Sequence, residues 1–302
     1  MTTLLPTDRQ AAAGGGPTGG HIRYSAPVMT RLGLGCSRIG SISNNQQAHE
    51  ARELIAFAID MGVSVVDTAD IYGQGDSERQ IGRALATRRD RAFIVTKAGK
   101  TITGAAQWLA PLKPVLLPLI SKLGRRSQVS TRRERYVRSN FSPEHLRQAL
   151  EASLKRLRVE FVDGFLLHSP PLEVLGNERI WRLFEEMIKS GRARHVGASI
   201  DSVDLIDAAL AVPHLSLLEM PLSVIDAPQT LSQKARIDQL GIKIIAREII
   251  RSQSSMTPTD AVRSTLNRAS VTTALVGTTN KRHLEELIHG AGDTESGAEA
   301  GV

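Results

Sequence analysis

Eight short apolar runs punctuate this sequence, and the stretches between them carry helical periodicity. Seven are VSVVD (63–67), AFIVTK (92–97), FVDGFLLH (161–168), ARHVGAS (193–199), HLSLLE (214–219), IKIIAR (242–247) and VTTALVG (271–277), and an eighth lies near Arg31–Cys36. They are nearly continuous in apolar residues, the pattern of strands covered on both faces in a parallel sheet. Between them, Gln47–Met61 places Ala51, Leu54, Ile55, Ala58 and Ile59 on one face, and Gly62 follows as a stop signal. Ser142-Pro143-Glu144 has the chemistry of a helix start, and Leu146, Ala149, Leu150, Ser153, Leu154 and Leu157 continue along one face. Further helices are expected over Glu178–Ser190, Val203–Ala211, Pro228–Gln239, Pro258–Arg268 and Lys281–His289. Eight β/α alternations in a chain of 302 residues favour a closed (β/α)8 TIM barrel over an open doubly wound sheet. No Pro/Gly/Ser-rich linker splits the core, so one α/β domain is expected over 21–290, with flexible tails at 1–20 and 291–302.

Composition excludes other classes. With 41% hydrophobic and 23% charged residues, collagen, coiled coil and disorder are ruled out for the bulk of the chain. Cys36 is the only cysteine, so no internal disulfide can form. The N-terminal stretch lacks the basic start and apolar core of a secretory signal. The longest apolar run, Trp108–Ile120, is too short and too proline-rich to span a bilayer. A cytoplasmic protein with no membrane span is expected. The eight histidines show no paired ligand spacing, so no metal is expected.

The net charge of +7 has an address. Residues 100–140 hold nine basic side chains against one acid, Glu134, a net +8, and the other residues together carry −1. That distribution argues against a nucleic-acid-binding surface. It favours a local field that steers an anionic cofactor or substrate, or that binds an acidic partner. The same stretch breaks the β/α rhythm, because more than forty residues separate Lys97 from Ser142. An insert after the third barrel strand would emerge at the rim where that strand ends. It is expected to form a lid over a substrate pocket, with Trp108 in its wall. A mobile loop and a monotopic membrane contact are the alternatives.

In a β/α barrel the reactive groups sit at the carboxyl ends of the strands. VSVVD ends in Asp67, AFIVTK in Lys97 and FVDGFLLH in His168, and Tyr72 follows Asp67 by five residues. Singly, these could be a helix cap, a solvent-facing amine or a core imidazole. Together on one rim they form a candidate acid–base site.

The run GVSVVDTADIYGQGDSERQIGRAL (62–85) has the form G-x-x-x-x-D-T-A-x-x-Y-G-x-x-x-x-E-x-x-x-G-x-x-L. It resembles the signature of the aldo-keto reductase family. VTKAG (95–99), SPEHLRQALEASLKRLRVEFVDGFLLHSP (142–170), GRARHVGAS (191–199) and VGTTNKRHLEEL (276–287) continue that resemblance in order. It implies a (β/α)8 barrel that binds NADPH, with NADH as the alternative, and reduces an aldehyde or ketone, or runs the reverse reaction. No G-x-G-x-x-G is present, in keeping with a nicotinamide site outside the Rossmann fold. The resemblance makes Asp67, Tyr72, Lys97 and His168 a catalytic tetrad. Tyr72 would give the proton, Lys97 would lower the phenol's pKa, Asp67 would orient Lys97, and His168 would bond the substrate carbonyl or share the proton with Tyr72.

The resemblance also places Ser199 and Glu219 at the nicotinamide, Arg247 in the cofactor site after the seventh strand, and the turn and helix start of Gly277, Thr278, Thr279, Lys281 and His283 at the adenosine 2′-phosphate, with Glu286 also in the cofactor site. Three departures stand out: Ile200 replaces an expected Asn, Glu219 an expected Gln, and Leu287 an expected Asn. Lys281 and Arg282 also fit an ordinary solvated helix face. The departures keep a second function class open, a barrel of this family acting mainly as a binding or regulatory subunit.

Overall fold

The eight apolar runs form eight parallel strands that close on themselves. A computed structural model of the chain describes residues 27–40, 46–102 and 137–292. Trp108 and the lid expected around it fall outside these residues, as do the tail at 1–20 and most of the one at 291–302. The barrel strands are β1 (Leu32–Gly35), β2 (Val65–Asp67), β3 (Phe93–Ala98), β6 (Val162–His168), β7 (Ala193–Ser199), β8 (Leu215–Pro221), β9 (Lys243–Arg247) and β10 (Thr273–Val276). Around the barrel they run β1-β10-β9-β8-β7-β6-β3-β2, and β2 pairs back onto β1. Outside the barrel, β4 (Lys100–Ile102) and β5 (Val137–Ser139) form an antiparallel pair at the two ends of the insert.

The main helix after each barrel strand is, in order, α1 (Ala48–Asp60), α2 (Asp76–Ala84), α3 (Pro143–Leu157), α4 (Glu178–Lys189), α5 (Ile206–Leu210), α6 (Lys234–Gln239), α7 (Pro258–Leu266) and α8 (Lys281–Gly292). Their starts follow from side-chain chemistry. Ser142 Oγ accepts from the His145 amide at 3.3 Å, Asn177 Oδ1 from Arg179 at 3.0 Å, and Thr257 Oγ1 from Asp260 at 3.2 Å. The expected helix over Pro228–Gln239 is two pieces, Pro228–Ser232 and Lys234–Gln239, broken where the Gln233 amide turns back to Thr230 O at 3.0 Å. Val203–Ala211 opens with a 3-10 turn before α5, and α8 runs past His289 to Gly292.

Strand alternation divides the core. One set of side chains fills the barrel lumen: Val65, Phe93, Val95, Leu166, Leu217, Ile245 and Leu275. Their immediate neighbours, among them Ile94, Phe165, Leu167, Leu218, Ile244 and Val276, pack outward against the helices. Because the side-chain period is 2, the residue two beyond an apolar lumen residue returns to the lumen one layer higher. Val65 is followed in this way by Asp67, Val95 by Lys97, Leu166 by His168, Leu217 by Glu219 and Ile245 by Arg247. An apolar plug thus supports a polar floor at the carboxyl ends of the strands.

The opposite end of the barrel is tied by Asp163, whose side chain is 0% exposed. It accepts from the Ile94 amide at 2.9 Å and pairs with Arg89 at 2.9 Å and Arg194 at 3.0 Å. Both guanidinium groups also lie over the Phe161 ring, 4.5 and 4.1 Å from its centroid. At the other end, Gly99 turns β3 into β4 with φ +114°, and a Cβ there would sit 2.0 Å from the Phe141 ring. Glycine is the residue that this turn admits.

Candidate active site

A cavity of about 570 Å³ opens at the carboxyl ends of the barrel strands. Its walls include Asp67, Tyr72, His168, Ser199, Glu219, Arg247 and Gly277, seven of the residues singled out from sequence. Parallel register brings them together: Gly35 lies beside Asp67, His168 beside Ser199, and Ser199 beside Glu219.

Lys97 rises from β3 beneath this floor and is fully buried. Its Nζ contacts Asp67 Oδ1, donates to Thr68 O at 3.0 Å, and lies 3.0 Å from Glu219 Oε2. Burial opposes the ammonium, but the two carboxylates prevail and hold Lys97 charged. Tyr72 enters from the loop after β2, on a 3-10 turn over Tyr72–Gln74. Gly73 makes that turn possible: its φ is +58°, and a Cβ would lie 2.6 Å from Gly40 O. Lys97 Nζ is 5.7 Å from the Tyr72 ring centroid. The Tyr72 and His168 rings meet edge to face, with centroids 5.7 Å apart.

The electrostatics refine the expected roles. Burial pushes the Tyr72 phenol above its ordinary range, and although Lys97 pulls it down, Asp67 and Glu219 push it up. Tyr72 therefore stays protonated, as an acid must, and the lowering expected from Lys97 is outweighed. His168 is pushed down to about 4, first by burial and then by the Lys97 charge, so its imidazole is neutral near pH 7. Its Nδ1 is buried without a hydrogen bond among the described residues.

This depressed imidazole makes stability pH-dependent. The unfolded chain binds the proton below about pH 6.5 and the folded chain only below about 4, so stability falls as pH drops through that window. The full penalty is about 3 kcal/mol. His168→Gln should lose less stability than wild type between pH 7 and 4 in urea titrations; equal losses would contradict this assignment.

Ser199, Glu219 and Arg247, the residues expected at the cofactor, line the cavity and contact one another. Ser199 Oγ donates to Glu219 Oε1 at 3.0 Å. Arg247 Nε lies 3.6 Å from the same oxygen, while its guanidinium also holds Asp201, Ile200 O at 3.3 Å and Glu248 at 2.6 Å. Ile200 turns its side chain into the core, fully buried. Arg38, Asp201, Glu248 and Arg251 also line the cavity and were not anticipated. Asp201 and Glu248 stand one or two residues beyond strand ends already identified, and that position was the available signal.

The expected phosphate site lies at the start of α8. Asn280 Oδ1 caps this helix by accepting from the Arg282 and His283 amides at 2.9 and 3.3 Å. Gly277 reaches the cavity, Thr278 and Thr279 are half-buried, and His283 is exposed. Lys281 Nζ lies 4.4 Å over the Phe57 ring, and Arg282 pairs with Glu286 at 3.6 Å. Leu287 packs in the core. Among the described residues, no cluster of three or more His, Cys, Asp or Glu could hold a metal, and no helix is long and apolar enough to cross a membrane.

The Aldo/keto reductase family model matches residues 31–260. The chain belongs to the aldo/keto reductase family. The aldo-keto reductase YhdN of Bacillus subtilis is 27% identical over 201 residues, 65% of this chain and 51% of its own length. The NADH-specific methylglyoxal reductase of Escherichia coli is 26% identical over 206 residues, 66% of this chain and 57% of its own length. The match to such curated relatives spans about half their length. An aldo-keto reductase of Klebsiella pneumoniae solved with NADPH shares the fold, with a TM-score of 0.61 at 18% identity over 87% of this chain and 85% of that one. In this aldo/keto reductase family member the match covers Asp67, Tyr72, Lys97, His168, Ser199, Glu219 and Arg247, and stops before β10 and α8.

Proposed function

We propose that this chain reduces an aldehyde or ketone to an alcohol, or runs the reverse reaction, with NADPH as cofactor and NADH as the alternative. The observation that carries this reading is the convergence of a protonated Tyr72, a neutral His168 and the Lys97–Asp67 ion pair on one cavity floor. The cavity fits the nicotinamide half of a dinucleotide. Its volume lies within the usual range for ligand pockets, Arg38, Arg247 and Arg251 offer cations to phosphate oxygens, and Glu219 offers an acceptor to an amide N–H. Lys281 and Arg282, at the exposed start of α8, are the candidates for an adenosine 2′-phosphate. When bound, the reduced nicotinamide supplies the hydride.

The chain's own residues do the rest. Tyr72 Oη holds the proton that passes to the carbonyl oxygen. His168, neutral and lining the cavity, holds that oxygen in line. Lys97 stabilises the phenolate left on Tyr72, and Asp67 and Thr68 O fix the ammonium in place.

A screen of aldehydes and ketones with NADPH and with NADH, followed by the absorbance of the reduced nicotinamide, tests the proposal. Turnover with at least one carbonyl supports it. The altered contacts at Ile200 and Glu219 favour the second reading, a binding or regulatory barrel, and cofactor binding without turnover across the screen would select it.

A further inference from the structure

The cavity floor holds one more carboxylate than carbonyl reduction uses. Glu219 is 1% exposed, its Oε2 is 3.0 Å from Lys97 Nζ, and its Oε1 accepts from Ser199 at 3.0 Å. Lys97 is therefore shared between two buried acids, Asp67 and Glu219. Arg247 approaches Glu219 at 3.6 Å but is also engaged by Asp201 and Glu248. At the buried level of the floor Lys97 thus answers two acids, Asp67 and Glu219, while Arg247 is divided among Glu219, Asp201 and Glu248, and Arg251 lies 3.7 Å from Glu248 at the solvent-facing side. Burial opposes the charge on Glu219, yet Lys97 and Arg247 together keep its carboxyl below the ordinary range, so it remains an anion. The strain falls on Asp67, whose carboxyl burial and the Glu219 charge push well above the ordinary range. A buried, incompletely balanced anion is costly unless something positive joins it.

The nicotinamide ring changes charge when it gives up hydride: the reduced ring is neutral and the oxidised ring carries +1. Tyr72, His168 and Glu219 line the same cavity, so a nicotinamide held there would share that floor with Glu219. We propose that Glu219 makes this pocket distinguish the two redox forms of its cofactor, holding the oxidised, cationic nicotinamide more tightly than the neutral reduced one. The inference rests on the reading of this cavity as a nicotinamide site. Tighter binding of the oxidised form makes the bound cofactor a stronger hydride donor than the free one, by the reciprocity of linked equilibria. It also slows departure of the oxidised cofactor.

The test is calorimetric titration of the purified full chain with NADP+ and with NADPH. The informative quantity is the ratio of the two dissociation constants, because the phosphate contacts are common to both forms and cancel. Glu219→Gln removes one charge while keeping an acceptor for Ser199. At a contact distance and an effective dielectric near 20, that charge corresponds to at least a tenfold change, roughly. The preference for NADP+ should fall by about that factor, through weaker NADP+ binding, with NADPH affinity little changed. Arg247→Gln removes a cation from the same floor and should shift the ratio the other way, which also covers the case in which Glu219→Gln does not fold. An unchanged ratio with both forms still bound overturns the proposal and leaves the cofactor site standing. A wild-type chain that binds neither form overturns both.

Discussion

Tyr72→Phe is expected to lower carbonyl reduction by about 10²–10⁴-fold, the usual contribution of a positioned proton donor. Cofactor affinity should stay near that of wild type. The variant removes only the hydroxyl. It keeps the ring that meets His168 edge to face and that Lys97 approaches at 5.7 Å. The loss should therefore fall on turnover rather than on dissociation constants, which steady-state kinetics beside cofactor titration would show. Wild-type turnover in the variant would remove Tyr72 as the acid. The buried phenol also bears on pH. Because burial holds Tyr72 protonated, the reductive direction should keep its proton donor through the neutral and mildly alkaline range.

The largest expected effect on stability lies at the other end of the barrel. Asp163→Ala should cost about 3–5 kcal/mol, the range for removing one partner of a buried ion pair. The carboxylate sits between β3 and β7, answering Arg89, Arg194 and the Ile94 amide at once. Without it, two guanidinium groups that are 18% and 27% exposed face each other near Phe161 with no acid between them, and a ladder amide loses its acceptor. Urea unfolding followed by far-UV circular dichroism would measure the change. A cost under about 1 kcal/mol would mean that water or a neighbouring group replaces the carboxylate. Asp163 lies far along β6 from His168, so the surviving folded fraction should keep its site.

Much of this was legible in the sequence because the barrel repeats one simple constraint. Strands covered on both faces must be continuously apolar, and each of the eight runs is a strand. Asp67, Lys97 and His168 were legible as residues of one floor for a related reason, since each is a polar residue near the end of an apolar strand, whereas Tyr72, on the loop after β2, was legible only from the motif. What escaped depends on distance in space rather than in sequence. Helix α2 is short, its apolar residues are few, and the run that contains it was read for its motif. The β4–β5 pair joins segments whose partners are set only by how the insert returns. Glu219 was found as a site residue, but its contact with Lys97 spans strands that are not neighbours in the barrel. Asp163 went unnoticed as a tie because its arginines lie 74 residues before it and 31 after it in the chain.

The pairing of Leu32 with Ala274 and Leu34 with Val276 has a consequence for biosynthesis. The ring is joined by β1 and β10, the first and last of its strands, so it cannot close until β10 has left the ribosome. Through that interval β1 and the most recently made strand both offer unpaired backbone edges, each able to recruit a strand from another nascent chain. Arg31 joins the same seam, its guanidinium reaching the Val271 and Leu266 carbonyls. Substitutions along this seam should show first as lost yield of folded protein during synthesis, before they show as lost stability in the finished molecule.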